Sequence, residues 1–363
     1  SDVYKRQDKK GTLASLEKLN RLVEAIIEGN NIDVDSTELL LDIELSEKSR
    51  VFSVKMPYKR LSAYIVDTPE GARIASEPEI VGGEFFNLNL KAALEATSAM
   101  KQILDFDKPI LFLHVLRAST GYMLHKAFSS LNIQFSEAFV RVKYVTGSYR
   151  DHVQRRVVVA FRKFEKIPEG DITLVIADTV ATGLSLEAAL RTAYEELSKG
   201  NSRIEDLILY GFISKEGIEK TYDVSQRLGI RKLYVFAMQD ITPLAYNKYD
   251  MPLYGPDESY WSERGKLKTL GSIVDIATLK RMLPEYAPGM DQPGDWSERQ
   301  DSLFNGYGYE PGNIAGHLDK SLSLLKKLRE IVRTTPWYCD WIGKIFEKRQ
   351  RKLEDALKRI SKA

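Results

Sequence analysis

One cysteine, Cys339, in 363 residues excludes an intramolecular disulfide, and with it the stapled frameworks of small secreted domains. Cys339 sits in the aromatic run Trp337–Trp341, where a small buried residue is expected rather than a reactive thiol. Histidine is scarce too. The four present, His114, His125, His152 and His317, have no metal-ligand spacing, so no protein-held metal centre is expected. His114 lies in an apolar run and reads as a hydrogen-bonded core residue; His152 reads as part of a solvated arm. There is almost no net charge. Lys and Arg exceed Asp and Glu by 2, which argues against a dedicated nucleic-acid binder with its basic stripe. No apolar run is long enough to span a bilayer, and none is placed as the core of a secretory signal. The expectation is a cytoplasmic protein that contacts neither membrane nor nucleic acid.

What is present suffices for a sizeable fold. Apolar residues make up 43% of the chain, and the length suits two domains or one with a large extension. Leu13, Leu16, Val23, Ile26 and Ile27 fall on one face of a helix over 12–28, with Gly29 and Asn30 as its stop signal. A loosely patterned stretch follows to about residue 60. The middle of the chain then alternates. Pro109–Val115 reads as a strand buried on both faces, followed by a helix over 120–131. Strands are also expected over 155–164, 171–177, 204–214 and 231–238, with helices over 185–197 and between the last two strands. Such alternation implies βαβ units around a mainly parallel sheet flanked by helices. Residues 284–315 read as an irregular excursion, and amphipathic helices over 317–333 and 339–361 close the chain. These shifts in texture divide it into a lead-in over 1–58, a core over 59–264 and a mostly helical extension over 265–363. Trp-Ser-Glu-Arg occurs at 261–264 and again at 296–299; two copies of four residues do not make a repeat architecture.

The most informative stretch is Leu174–Ser185. A buried strand ends in a carboxylate, Asp178, and a short turn of small and hydroxylated residues then opens a helix. Ligands of doubly wound sheets bind at the carboxyl ends of strands. The helix start offers unpaired N–H groups and the positive end of its dipole, which together make an anion site. Thr179, Thr182 and Ser185 can add hydroxyl donors, and Gly183 admits a phosphate close to the backbone. Asp178 can accept from polyol hydroxyls. The plainer alternative is a strand-to-helix turn with Ser185 as N-cap. The stretch has one glycine where the dinucleotide fingerprint needs three, and no Gly-Lys-Ser/Thr of a P-loop.

Asp178–Ser185 resembles the ribose-phosphate loop of type I phosphoribosyltransferases, and its Ala-Thr-Gly-x-Ser form is similar to that of uracil phosphoribosyltransferases. Val115-Leu116-Arg117-Ala118-Ser119 is similar to the pyrophosphate loop of that group, Tyr149-Arg150-Asp151 to a Tyr-Arg-Asp in its flexible arm, and Met251–Asp257 loosely to its base-binding segment. The matches keep the family's order over roughly 60–262. The chain departs from the family in having Ala177 where an acid is common and Ser119 where a glycine is usual. It also lacks the Gly-Asp-Ala-Gly continuation of the base segment.

The resemblance implies a phosphoribosyltransferase fold and the transfer of a phosphoribosyl group to a nucleobase, uracil or a related base. Arg117, with backbone of Ala118 and Ser119, would hold the donor's pyrophosphate through forked, charge-assisted bonds. Asp178 would take the ribose hydroxyls. Thr179, Ala181, Thr182, Gly183, Leu184 and Ser185 would wrap the 5-phosphate, and Tyr254, Gly255 and Asp257 would meet the base. Magnesium would travel with the pyrophosphate, keeping few protein ligands. Phosphoribosyl pyrophosphate and a nucleobase or nucleotide are the implied partners, in a homo-oligomer. Displacement of pyrophosphate at a cationic sugar carbon needs positioning more than a nucleophile, which suits a chain without a persuasive triad. Two other readings stand beside this one: a non-catalytic sensor or regulator that binds nucleotide or donor, and a scaffold acting through the C-terminal extension. The basic run Glu347–Lys352 reads as the solvated face of its helix.

Overall fold

A computed structural model describes residues 17–43, 48–145 and 156–361. It shows an α/β architecture with a large, mostly parallel sheet flanked by helices, and a helical C-terminal segment. Among the described residues nine strands form one sheet, in the order β1 (Thr37–Asp42), β2 (Arg50–Val54), β3 (Leu61–Asp67), β9 (Lys232–Thr242), β8 (Ser202–Ser214), β7 (Gly170–Ala177), β4 (Ile110–Leu116), β5 (Ser136–Val145) and β6 (Arg156–Phe164). The strands from β3 to β5 are parallel to their neighbours, and the outer ones, β1, β2 and β6, pair antiparallel.

The continuous apolar runs are explained by what covers them. In β4 every residue is buried, with alternate side chains on opposite faces. Leu111, Leu113 and Val115 face one layer, which holds α5 (Leu184–Ser198) and α6 (Lys215–Arg227). Phe112 faces the other, where α3 (Gly82–Ile103) and α4 (Leu124–Ser130) pack. On α5 the stripe Leu186, Ala189, Leu190, Ala193 and Leu197 is buried, the spacing that turns one helical face to a sheet.

The described part of the first helix, α1, runs over 17–30, with Val23 and Ile26 buried; Leu13 and Leu16 lie outside the described residues. The loosely patterned stretch after it contains the antiparallel pair β1–β2. Leu39 and Leu40 on β1 stay exposed, so neither alternation nor a buried run marked that strand. The helix expected over 120–131 is broken. A 3₁₀ turn occupies Ser119–Tyr122, and Met123, at φ +57°, separates it from α4.

Residues after 264 join the main core. The helices α9 (Ile314–Val332) and α10 (Asp340–Ile360) bring Leu318, Leu328, Ile342 and Phe346 into the cluster that holds Phe85, Phe112 and Tyr210. The remaining elements are α2 (Pro69–Ser76), α7 (Glu258–Arg264), α8 (Ile276–Met282) and two small pairs, β10 (Tyr254–Pro256) with β11 (Thr269–Gly271) and β12 (Leu303–Phe304) with β13 (Tyr309–Glu310). Among the described residues, no helix is long and apolar enough to cross a membrane.

The basic run on α10 corrects the sequence reading. Arg349 is 1% exposed and ion-paired to Glu79 and Glu285, the latter at 3.2 Å, while Lys352 reaches Glu77 at 3.1 Å and Lys348 reaches Glu285 at 2.5 Å. Of the cations in 347–352, only Arg351 is left out of this set, and the others tie α10 to acidic residues elsewhere in the chain. Removing one partner of a buried pair strands the other charge. Arg349→Ala is expected to cost about 3–5 kcal/mol in urea unfolding, whereas Arg351→Ala, at an exposed position, should stay within about 0.5 kcal/mol of the parent.

Candidate anion site at the carboxyl edge of the sheet

Parallel pairing of β4 with β7, Ile110 opposite Thr173 and Phe112 opposite Val175, delivers the carboxyl ends of both strands to one rim. Arg117, Ala118 and the 3₁₀ turn follow the first; Asp178 and the turn into α5 follow the second. The two turns touch. The hydroxyl of Tyr122 bonds to Oγ1 of Thr179 and accepts the N–H of Phe212 at 3.3 Å. The fully buried Tyr122 ring stacks on Trp296, centroids 4.0 Å apart.

Asp178 is 6% exposed. Its Oδ1 accepts the N–H of Thr179 at 2.9 Å, and its own N–H donates to the carbonyl of Tyr210 at 3.0 Å. Burial pushes its carboxyl up to about 7, with the Thr179 N–H pulling weakly the other way. Such a position is costly to fill with a carboxylate, and costly features concentrate where a ligand is met. Beneath it, Gly211 lies at φ +143°, and an added Cβ would stand 2.2 Å from the Asp178 carbonyl oxygen. Only glycine lets β8 pass so close.

The turn is stitched to β8 from below: Val180 N–H donates to Phe212 O at 2.8 Å, and the Ser214 hydroxyl donates to Ala181 O. Thr179, Ala181, Thr182, Leu184 and Ser185 are partly exposed. The cap of α5 is Gly183, in the left-handed region at φ +78°, with no side chain bonded to the first turn. Ser185 is therefore not the N-cap; its hydroxyl donates to that of Tyr144 on β5 at 3.1 Å. The head of α5 keeps its first-turn N–H groups free of side-chain capping, as an anion site requires. Glu187, which could compete there, is drawn to Lys220 at 2.6 Å and Arg191 at 2.9 Å.

Arg117 stands on the same rim but is engaged. Its Nη2 donates to Glu298 at 2.7 Å and its Nε lies 3.2 Å from Glu310. The Ala118 carbonyl accepts from Gln300 at 3.3 Å, and Ser119 is buried with its hydroxyl unpartnered. Nothing in the sequence reading assigned a role to Trp296, Glu298, Gln300 or Glu310. The second Trp-Ser-Glu-Arg was the one visible signal, and the two copies prove unrelated. Trp296 and Arg299 are buried, while Trp261 is partly exposed and Arg264 exposed. Arg299 donates to the carbonyls of Ile74, Glu77, Ile80 and Pro293 at 3.1–3.2 Å, which fixes the segment over the rim.

Tyr254, Gly255 and Asp257 are placed elsewhere. Tyr254 is fully buried against Tyr286 and Trp337, and Gly255 pairs with Leu270. Asp257 caps α7, accepting from the N–H groups of Tyr260 and Tyr246 and the hydroxyl of Ser259. A base-contacting role for the three has no support in that arrangement. Tyr149, Arg150, Asp151 and His152 lie outside the described residues. His114 is a buried core residue, as expected, bonded to Glu137 at 2.9 Å. His317 bonds to Pro78 O at 2.7 Å, and burial pushes its ring down to about 4.

No family model and no curated protein matches this chain. Solved structures do resemble part of it. The AQ2163 protein from Aquifex aeolicus is 16% identical at a TM-score of 0.37, the match covering 51% of this chain and 91% of the other. A hypoxanthine phosphoribosyltransferase from Staphylococcus aureus is 16% identical at a TM-score of 0.30, covering 47% and 77%. One from Trypanosoma cruzi is 20% identical at 0.26, covering 46% and 78%. The geometry of the two turns stands independently of these likenesses.

Asp178 sets a pH dependence of known sign. Its folded-state position above the ordinary carboxyl value means that the native chain holds the proton more tightly than the unfolded chain. The cost to stability is absent below about pH 4, grows through the interval up to 7 and is complete above it, on the order of 4 kcal/mol. Asp240, buried with Ser272 and Gln292, is pushed up to about 7 in the same way. Asp178→Asn keeps an acceptor for the Thr179 N–H. It is expected to raise the melting temperature more at pH 8 than at pH 5, and an equal effect at both would contradict the burial argument.

Proposed function

We propose that this chain is a phosphoribosyltransferase that joins a nucleobase, uracil or a related base, to phosphoribosyl pyrophosphate, giving a nucleoside monophosphate and pyrophosphate. The observation that carries the reading is the meeting of two turns through Tyr122 and Thr179. That contact joins the turn after Arg117 to the turn that carries the buried Asp178 and opens the uncapped α5. A donor with a phosphate at one end and a pyrophosphate at the other matches those two anion-binding elements, with sugar hydroxyls at the Asp178 carboxylate. Arg117 suits the pyrophosphate through its forked donors, beside the backbone of Ala118 and Ser119. The turn Thr179–Ser185 suits the 5-phosphate.

The work asked of these residues is positioning and charge stabilisation, since the transfer passes through a cationic sugar. Among the described residues no three His, Cys, Asp or Glu side chains gather to hold a metal. In the same reading a magnesium ion would arrive with the pyrophosphate and offset its charge. Homo-oligomeric assembly and a cytoplasmic location belong to the same reading.

Two observations favour a second reading, a protein of this fold that binds donor or nucleotide without turnover. Arg117 is paired to two carboxylates, and Ala177 stands where the resembled family commonly has an acid.

Incubation with donor, magnesium and a panel of bases, followed by assay of released pyrophosphate, is expected to reveal turnover. Donor binding by calorimetry without turnover would select the second reading, and neither would reject both. Arg117→Ala and Asp178→Asn should each weaken donor binding by about 1.5–3 kcal/mol without loss of a cooperative melt. Unchanged affinity in both would defeat the site.

A further inference from the structure

We propose that Glu298 and Glu310 form an internal counter-anion: they occupy Arg117 until a ligand arrives, and the polyphosphate of that ligand must displace them. The proposal rests on the reading of Arg117 as the residue that meets pyrophosphate.

Two of the three guanidinium nitrogens are engaged, Nη2 by Glu298 and Nε by Glu310. A pyrophosphate on the same fork would meet two carboxylates already paired to that guanidinium. That arrangement has surplus negative charge, and it disfavours an anion until the glutamates withdraw.

The contact is also built to be exchanged. Side-chain exposure is 30% at Arg117, 24% at Glu298 and 34% at Glu310. The Arg349 network differs, with the arginine at 1% and Glu77 and Glu79 at 9% and 8%. The Arg349 guanidinium is thus closed off from water, whereas that of Arg117, on the ligand rim, is open to it.

The carrier of Glu310 is light. β12 and β13 have two residues each, so few ladder bonds hold the hairpin. Leu303 is buried beside the 3₁₀ turn, and further ties run to β5 and β6: Arg141 donates to Asn305 O at 3.0 Å, and Tyr307 packs on Phe161. Arg141 and Lys143 lie within electrostatic reach of Glu310 and offer a displaced carboxylate a second cationic neighbour. Glu298, one residue from the buried Arg299 anchor, is free to swing only by its side chain. Displacement therefore shifts a hairpin and two side chains and leaves the segment attached.

The test titrates inorganic pyrophosphate with magnesium, by calorimetry, into the full chain and its Glu298→Gln, Glu310→Gln and double variants, each with and without Arg117→Ala. Glutamine keeps the shape and an acceptor oxygen, for the Asn313 N–H that bonds to Glu298 and for the Asn305 side-chain amide that bonds to Glu310. The double variant is expected to bind about tenfold or more tightly than the parent, the singles to fall between, and Arg117→Ala to erase the gain. Arg117-dependent binding to the parent with equal or weaker binding to the variants overturns the counter-anion and leaves the donor site standing. Absence of binding throughout overturns the reading of Arg117 and the proposal with it. Should a glutamine variant lose its cooperative melt, hydrogen exchange on the parent decides. Pyrophosphate should speed exchange over residues 303–313, and unchanged or slower exchange there overturns the proposal.

Discussion

Everything at the rim follows from β4 and β7 lying side by side in the interior of the sheet. Both are buried over most of their length, so neither can place a polar side chain until it emerges. Parallel pairing makes them emerge together. Arg117 and Asp178 are thereby neighbours in space although the chain separates them by a hairpin and a crossover. The Tyr122–Thr179 bond is a by-product of that pairing, and the stacking of Trp296 on Tyr122 extends it to the C-terminal segment. The rim is thus assembled from three distant stretches, and the hydrophobic core sets their order.

The parts legible in the sequence were those whose burial is complete. β4, β7, β8 and β9 announce themselves because both faces are covered, and a short continuous apolar run bounded by turn residues is the mark of such a strand. Asp178 and Arg117 were legible because each ends such a run. Elements with mixed environments were not. β1 carries exposed Leu39 and Leu40, and a strand half in water has no run to read. The break at Met123 is imposed from outside, since Tyr122 must turn beneath Trp296, and no local propensity encodes that. Gly183 rather than Ser185 begins α5 because the turn is stitched to β8 by backbone bonds, which a sequence does not display.

Charge was the least legible property. Arg349 sits in a run that looks solvated, yet three acidic residues far away in the chain converge on it. Glu298 lies 181 residues from Arg117, beyond any local pattern. Tyr254 and Asp257 were no more legible: in a segment that resembles a ligand-binding stretch, the one packs in the core and the other caps α7. Asp178 sets stability against binding. The fold would be easier without a carboxylate there, and its retention beneath an open helix head is a reason to look for a ligand.

The outer margin of β6 has a consequence of its own. It is an edge strand, with no strand paired to its far side among the described residues, and its middle, Val157–Phe161, is apolar with Val158 and Val159 exposed. A bare margin of that composition is a template for unwanted addition of strands from other molecules. Arg156 at one end and Arg162 and Lys163 at the other act as gatekeepers, because any antiparallel self-association centred on Val159 would set arginine against arginine. Protection of that margin thus falls to three cations of β6 itself.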